Sequence, residues 1–308
     1  MRAVVFVLAA AVLFGTTGTT QALAAEGASS LSVGAARMSV GGGFMALVGL
    51  VSWRRRRART AGPAAPAAAS LLPAPQRSSR LPARLAVGGA AAGMAVYQVT
   101  FFAGVRANGV AVGTLVTLAT SPLWAGLFEW LFRGQRPGRP WLVSTGLAVV
   151  GVGLLGGTSG SAHLPGLLLS LTAGAAYGLE LVLLKIPLDH GWHPSDAVAW
   201  VMGLAGLLTF PLLVSTDLHW LAQPRGAAAA AWLGVATIVV AYQLLAAGLK
   251  RLSAATVTTL TLAEPATAAL LGFVLLNERL TAYGLAGLAA IGVALAFLAR
   301  SAPSPAKP

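Results

Sequence analysis

Ten stretches of this chain are each apolar over about the thickness of a bilayer's hydrocarbon core, and the segments between them hold most of its charge. A helix needs roughly 20 apolar residues to cross that core. The stretches are residues 3–25, 33–53, 85–105, 109–132, 140–155, 165–184, 196–214, 227–249, 254–277 and 282–299. Charged residues make up 9% of the chain, against about 25% in a soluble domain. The expected fold is an all-α polytopic membrane protein with ten spanning helices. The first stretch has a second reading. Arg2, an apolar run to Gly15 and Ala22-Leu23-Ala24 also fit a signal peptide with a small-residue cleavage site. The uncharged run is long enough to span, and the repeat described below needs a helix there, so we read it as the first span. Cleavage would remove one helix and leave the remaining topology unchanged.

The net charge of +13 would suggest nucleic acid in a soluble protein. Here the basic residues sit in loops, and the positive-inside bias accounts for them. Arg54 to Arg57 and Arg59 follow the second span and open a Pro/Ala/Ser linker over 54–84. Arg133, Arg136 and Arg139 follow the fourth span, Lys250 and Arg251 the eighth, and Arg300 and Lys307 lie in the tail, 300–308. These alternate correctly if both termini are cytoplasmic, which makes this a multi-pass protein of the cytoplasmic membrane. The arginine run also suits contact with anionic lipid. Trp53, Trp130, Trp141, Trp200 and Trp232 fall near helix ends, as an interfacial belt would. No nucleic-acid partner is expected. With no cysteine, four scattered histidines and eight acidic residues, no metal, cofactor or catalytic cluster is expected, and no Walker A pattern provides for direct use of ATP.

The span at 254–277 holds one ionisable residue, Glu264, followed at once by Pro265. A carboxylate near the middle of a span costs about 3 kcal/mol on insertion scales, and the proline removes a backbone donor and bends the helix. Two costs at adjacent positions suggest a working site, where Glu264 exchanges protons or pairs with a solute ammonium; the alternative is a structural carboxyl hydrogen-bonded to a neighbouring helix and holding the proline bend.

The chain also repeats itself. Tyr97-Gln98 matches Tyr242-Gln243, and Gly104-Val105-Arg106 matches Gly248-Leu249-Lys250. Ser121-Pro122 matches Glu264-Pro265, and Gly134-Gln135-Arg136 matches Asn277-Glu278-Arg279. Gly146 to Val152 match Gly287 to Val293. The offset shortens along the chain, which implies small deletions. Each repeat holds five spans, an odd number, so the second enters the membrane inverted. Residues 1–157 and 165–299 are then two inverted-topology repeats, an arrangement that sets a shared site near the midplane between the halves. The candidate pathway residues are Glu264, Pro265, Ser121, Pro122, Tyr97, Gln98, Tyr242, Gln243, Thr117 and Thr261. Threonines on the Glu264 face either line an aqueous path or bond back to their own helix. The Tyr-Gln pairs serve as solute contacts or as interhelical bonds. Glu180 and Lys185 read as a snorkelling pair near a helix end, with a gate or second proton site as the alternative. Glu129 reads as an interfacial pair with Arg133.

These motifs resemble the EamA-type carriers of the drug/metabolite transporter superfamily. The most specific part is Leu262-Ala263-Glu264-Pro265, Leu276-Asn277-Glu278-Arg279-Leu280 and Gly287 to Val293. The first repeat departs at Gly134-Gln135-Arg136, where the acidic residue is absent. Arg37 also sits where the family tends to have arginine. The resemblance implies a ten-helix inverted-repeat secondary carrier for small metabolites or drugs, often an exporter, with a small-molecule substrate and the bilayer as its partners; the Glu264 carboxyl makes protons a candidate partner, with substrate-only exchange as the alternative. It fixes neither substrate nor oligomeric state. A non-transporting membrane scaffold and, further off, a membrane-embedded transferase are the competing readings. The scaffold leaves the midplane Glu-Pro unexplained, and the transferase lacks a cluster of acids.

Overall fold

The computed structural model describes residues 1–24, 27–60, 81–156, 163–277, 279 and 281–301. The linker at 61–80, Glu278 and the tail beyond Ser301 lie outside the described residues, as do the side chains of Trp53 and Arg55 to Arg59. Among the described residues every regular element is a helix. They are α1 (Arg2–Ala24), α2 (Ser30–Thr60), α3 (Ala83–Gly109), α4 (Val112–Arg133), α5 (Arg139–Gly156), α6 (Leu164–Asp189), α7 (Pro194–Val214), α8 (Pro224–Leu249), α9 (Ala254–Leu275) and α10 (Ala282–Ser301). Nine of the described helices, all but α5, have membrane-spanning length and hydropathy, and α5 is a shorter apolar helix. α3 and α4 join through Gly109 at φ +82°, a backbone that glycine adopts without a Cβ penalty.

The helices pack as two interlocked halves. α3 and α4 lie along α6, while α8 and α9 lie along α1. α2 packs on α7, α5 on α10, the continuous α3–α4 run on α7, and α8 on α2. Exchanging each helix of the first five for its counterpart in the second five maps this set onto itself, as an inverted repeat requires.

Burial refines the register of the repeat. On α5 the buried positions are Trp141, Ser144, Thr145, Ala148, Gly151 and Val152; on α10 they are Gly284, Gly287, Ile291, Ala294, Leu295 and Leu298. Thr145 and Leu298 fall opposite half-buried Leu288 and Leu155; the other pairs keep one constant offset, and it is the offset that relates Ser121 to Glu264 and Gly134 to Asn277. The Gly146-to-Gly287 match is therefore slid by two residues, and the deletion it implied is absent from this part of the repeat. Gly134 (φ +66°) and Asn277 (φ +54°) are left-handed residues that end α4 and α9 alike, the usual chemistry of a helix C-terminus. The Tyr-Gln match is slid by one: burial aligns Gln98, not Tyr97, with Tyr242.

Close glycine contacts set the helix crossings. A Cβ on Gly42 would lie 2.6 Å from the Met202 carbonyl of α7, and one on Gly41 would lie 2.6 Å from the Gly234 carbonyl of α8. Consecutive residues point about 100° apart on a helix, so one Gly-Gly pair seats α2 against two neighbours. Gly43 meets nothing within 4 Å. Trp130, Trp200 and Trp232 are well exposed, but Trp141 is buried and donates to the Ala255 carbonyl at 2.9 Å. It is a tie between α5 and α9, not part of an interfacial belt. We expect Gly42→Leu to lower thermal stability in detergent by about 1–3 kcal/mol through overpacking. Gly43→Ala should leave it within about 0.5 kcal/mol of wild type, the range of substitutions that touch nothing.

Candidate functional site

The two prolines of the repeat sit in similar sequence and are handled differently. Proline cannot donate to the carbonyl four residues earlier. In α4 that carbonyl belongs to Leu118, and the Ser121 hydroxyl donates to it at 3.0 Å, so α4 runs on through Pro122. In α9 the freed carbonyl belongs to Thr261. A Glu264 carboxylate has no proton to give, and the Glu264 backbone N–H donates instead, at 2.9 Å. That bond tightens the chain into a turn at Thr261 (ψ −8°) and Leu262 (ψ −6°), which splits α9 into helices Ala254–Leu260 and Ala263–Leu275. The Glu264 side chain is left free of the backbone.

The two halves of α9 differ in how they are held. The Glu129 carboxylate accepts from the N–H groups of Ala254 at 2.7 Å and Ala255 at 3.2 Å, capping the helix start. Ser253 accepts from Thr256 N–H at 3.1 Å. Trp141 holds Ala255, and the Thr145 and Thr259 hydroxyls meet at 2.8 Å. Residues 257–262 are all buried, whereas 263–269 are all half-buried. Beside the clamped end, Arg133 pairs with Asp189, and Lys185 donates to Asp189 at 3.1 Å and to the Leu249 carbonyl at 2.9 Å. These charges tie α4, α6 and α8 together at that end.

Glu264 lies at the start of the half of α9 that has no such polar clamp. It is half-buried. Arg37 of α2 and Tyr97 of α3 share that condition. Arg37 is near enough to act on Glu264 by charge and to hydrogen-bond the Tyr97 hydroxyl, and it donates to Thr17 of α1 at 3.5 Å. The Tyr97 ring packs on Tyr177 of α6 with centroids 5.6 Å apart, and Thr261 reaches the Tyr177 hydroxyl. Two oppositely charged groups and two phenols, drawn from both halves, thus lie near one another. α1 is pressed against Glu264: a Cβ on Gly15 would lie 2.9 Å from the Glu264 carbonyl.

The other sequence candidates sit elsewhere. Ser121 and Pro122 are buried against α6, where a Cβ on Gly178 would lie 3.0 Å from the Ser121 carbonyl. The Thr117 hydroxyl donates to the Gly113 and Ser170 carbonyls at 2.8 and 3.1 Å. Gln98 is buried and donates to the Gly34 carbonyl at 3.3 Å. Gln243 faces the Met45 sulfur at 4.0 Å. Thr261 bonds back to the Thr258 carbonyl at 2.8 Å and Thr258 to the Ala254 carbonyl at 3.0 Å. Tyr242 is buried on the clamped side, its hydroxyl 3.9 Å from the Met94 sulfur. An apolar groove of about 570 Å3 between α2 and α7, lined by Gly43, Ala46, Gly203 and Phe210 among others, holds no ionisable group and is separate from this site.

Two charged readings change. The expected Glu180–Lys185 pair does not form, because Lys185 is turned to Asp189. Helix α6 runs on to Asp189, past the end expected at residue 184, so Glu180 stands about 13 Å from that end at 1.5 Å per residue. Glu129 is buried and caps α9, where the sequence suggested an interfacial position. Tyr177, Thr17 and the Arg133–Asp189–Lys185 cluster were not singled out as site groups from sequence. The i, i+3 spacing of Tyr177 and Glu180 on one apolar helix was the available signal.

The sequence model of the EamA-like transporter family matches residues 1–157 and again 164–300. The chain belongs to the EamA-like transporter family. A Bacillus subtilis (strain 168) protein described as "Uncharacterized transporter YwfM" is 35% identical over 286 residues, 92% of this chain and 89% of that protein. A solved structure described only as "Crystal structure of protein" superposes with a TM-score of 0.74 at 17% identity and covers 97% of each chain; at that identity the likeness shows the fold alone. This EamA-like protein is therefore a multi-pass membrane transporter of the drug/metabolite superfamily. We expect Glu129→Ala to destabilise it by about 1–2 kcal/mol, the usual cost of losing an N-cap acceptor, and Ser121→Ala by about 1 kcal/mol through the orphaned Leu118 carbonyl. Both are read as thermal unfolding shifts in detergent.

Proposed function

We propose that this EamA-like protein is a secondary carrier that moves small metabolites or drugs across the cytoplasmic membrane by alternating access, with Glu264 as its coupling carboxyl. The observation that carries the reading is the Arg37–Tyr97–Glu264 set, half-buried between the two halves, on a helix bonded by polar groups at one end and held by apolar packing at the other. An end shut by the Arg133–Asp189–Lys185 cluster suits one of the two states such a carrier needs. The positive-inside bias of the basic loops supports a cytoplasmic position for the closed end. Thr261 and Leu262 are the natural hinge, since their turn separates the clamped half of α9 from the half that bears Glu264 and Pro265. Export is the direction that the resemblance implies.

Glu264 and Arg37 carry opposite charges near enough to act on each other. A solute or proton that competes with Arg37 for Glu264 changes the balance of charge that holds α2 against α9, and that gives binding a means to bias the conformation. Purified protein in liposomes, tested against a metabolite panel, should move at least one solute, and Glu264→Gln should cut that flux by about 100-fold, the order expected for loss of a charge-assisted contact of about 3 kcal/mol, with an unchanged unfolding temperature. Normal flux in the mutant removes Glu264 from coupling; no flux of any solute in the wild type removes the carrier reading. Reporters fused to the two termini should both be active on the cytoplasmic side, and a terminus found outside refutes the ten-span arrangement.

A further inference from the structure

Glu180 is fully buried in α6, and neither of its carboxyl oxygens has a hydrogen-bond partner. Gly93 of α3 stands opposite; a Cβ there would lie 3.5 Å from the Glu180 Cβ. The titratable groups that face it are tyrosines: Tyr177 from its own helix, Tyr97 from α3 and Tyr242 from α8. Lys185 is committed to Asp189 and the Leu249 carbonyl. An ionised carboxylate without a partner in a dry interior is among the costliest groups a fold can hold, and a neutral acid removes most of that cost.

The position matters as much as the burial. Tyr97 lies near Arg37 and Glu264 on one side and packs at a tilt on Tyr177, ring centroids 5.6 Å apart, on the other. Tyr177 is three residues from Glu180. The tyrosines therefore form a layer with one carboxyl on each side: Glu264 with accessible surface, Glu180 sealed on the side that the Arg133–Asp189–Lys185 cluster closes.

We propose that Glu180 is a second proton-binding carboxyl of the transport cycle, neutral while the clamped end is shut and deprotonated when that end opens. The step is a simple acid dissociation: the Glu180 O–H bond breaks, the proton passes to water admitted from the opened end, and the carboxylate keeps the electron pair. The inference rests on the carrier reading. It gives the two halves of the membrane separate acids, so that a proton gradient acts on Glu264 from one side and on Glu180 from the other.

Infrared difference spectra of the protein in lipid nanodiscs near neutral pH test it directly. A protonated-carboxyl stretch should be present, vanish in Glu180→Gln and return shifted in Glu180→Asp, which also guards against a variant that fails to fold. In liposomes, with any panel solute that shows counterflow, Glu180→Gln should lower the ratio of accumulation driven by a pH gradient to counterflow, which moves no net proton. An unchanged infrared band, or an unchanged ratio, overturns the assignment to Glu180 and leaves the carrier intact. Absence of counterflow for every solute in the wild type sinks the carrier reading itself, and the cycle role of Glu180 with it.

Discussion

A proline in a membrane helix frees one carbonyl, and lipid offers no water to satisfy it. The two repeats meet this constraint at equivalent positions with different residues. Ser121 has a hydroxyl to donate, so the Leu118 carbonyl is bonded and α4 continues, buried against α6. Glu264 has none to give as a carboxylate, so the backbone turns to satisfy Thr261 and α9 breaks. Substituting a carboxylate for a hydroxyl beside a proline thus does two things at once. It sets a charge inside the bundle, and it separates the segment that bears the charge from the segment that is clamped.

The clamp depends on groups that a membrane protein can bury only when they are paired. Glu129 spends its charge on the N-terminus of α9, Arg133 and Lys185 on Asp189. Together they fasten α4, α6, α8 and α9 at one end. No comparable set restrains residues 263–269, which are half-buried throughout. Glycines such as Gly42 and Gly206, each near the other's backbone, let α2 and α7 cross closely without polar bonds, in keeping with association through small residues. The bundle is thus bonded by polar groups at one end and held by apolar packing at the other.

Much of this was legible in the residues. Apolar length fixed the helices, an odd number of spans per repeat fixed the inversion, and the cost of Glu264-Pro265 marked its place. The Gly134 and Asn277 match was right to the residue because a left-handed helix terminus restricts which side chains fit. The Tyr97 and Tyr242 match failed by one position because a shared dipeptide carries no information about which face is buried. Glu180 and Lys185 were misread as a pair because sequence spacing placed the helix end at residue 184, and the helix continues to Asp189.

From the sequence alone came the membrane, the helices and the two inverted repeats, since each follows from hydropathy or periodicity; both proline-bearing helices were expected to break, and only α9 does. The tertiary structure alone decided which polar groups lie near one another. Arg37, Tyr97, Tyr177 and Glu264 come from four helices of both halves, and Ser121 and Thr117, though equally polar, are turned into contacts with α6. The reason is physical: inside lipid a polar side chain is either bonded to a neighbouring helix or faces a shared cavity, and only the packing of helices distant in sequence determines which.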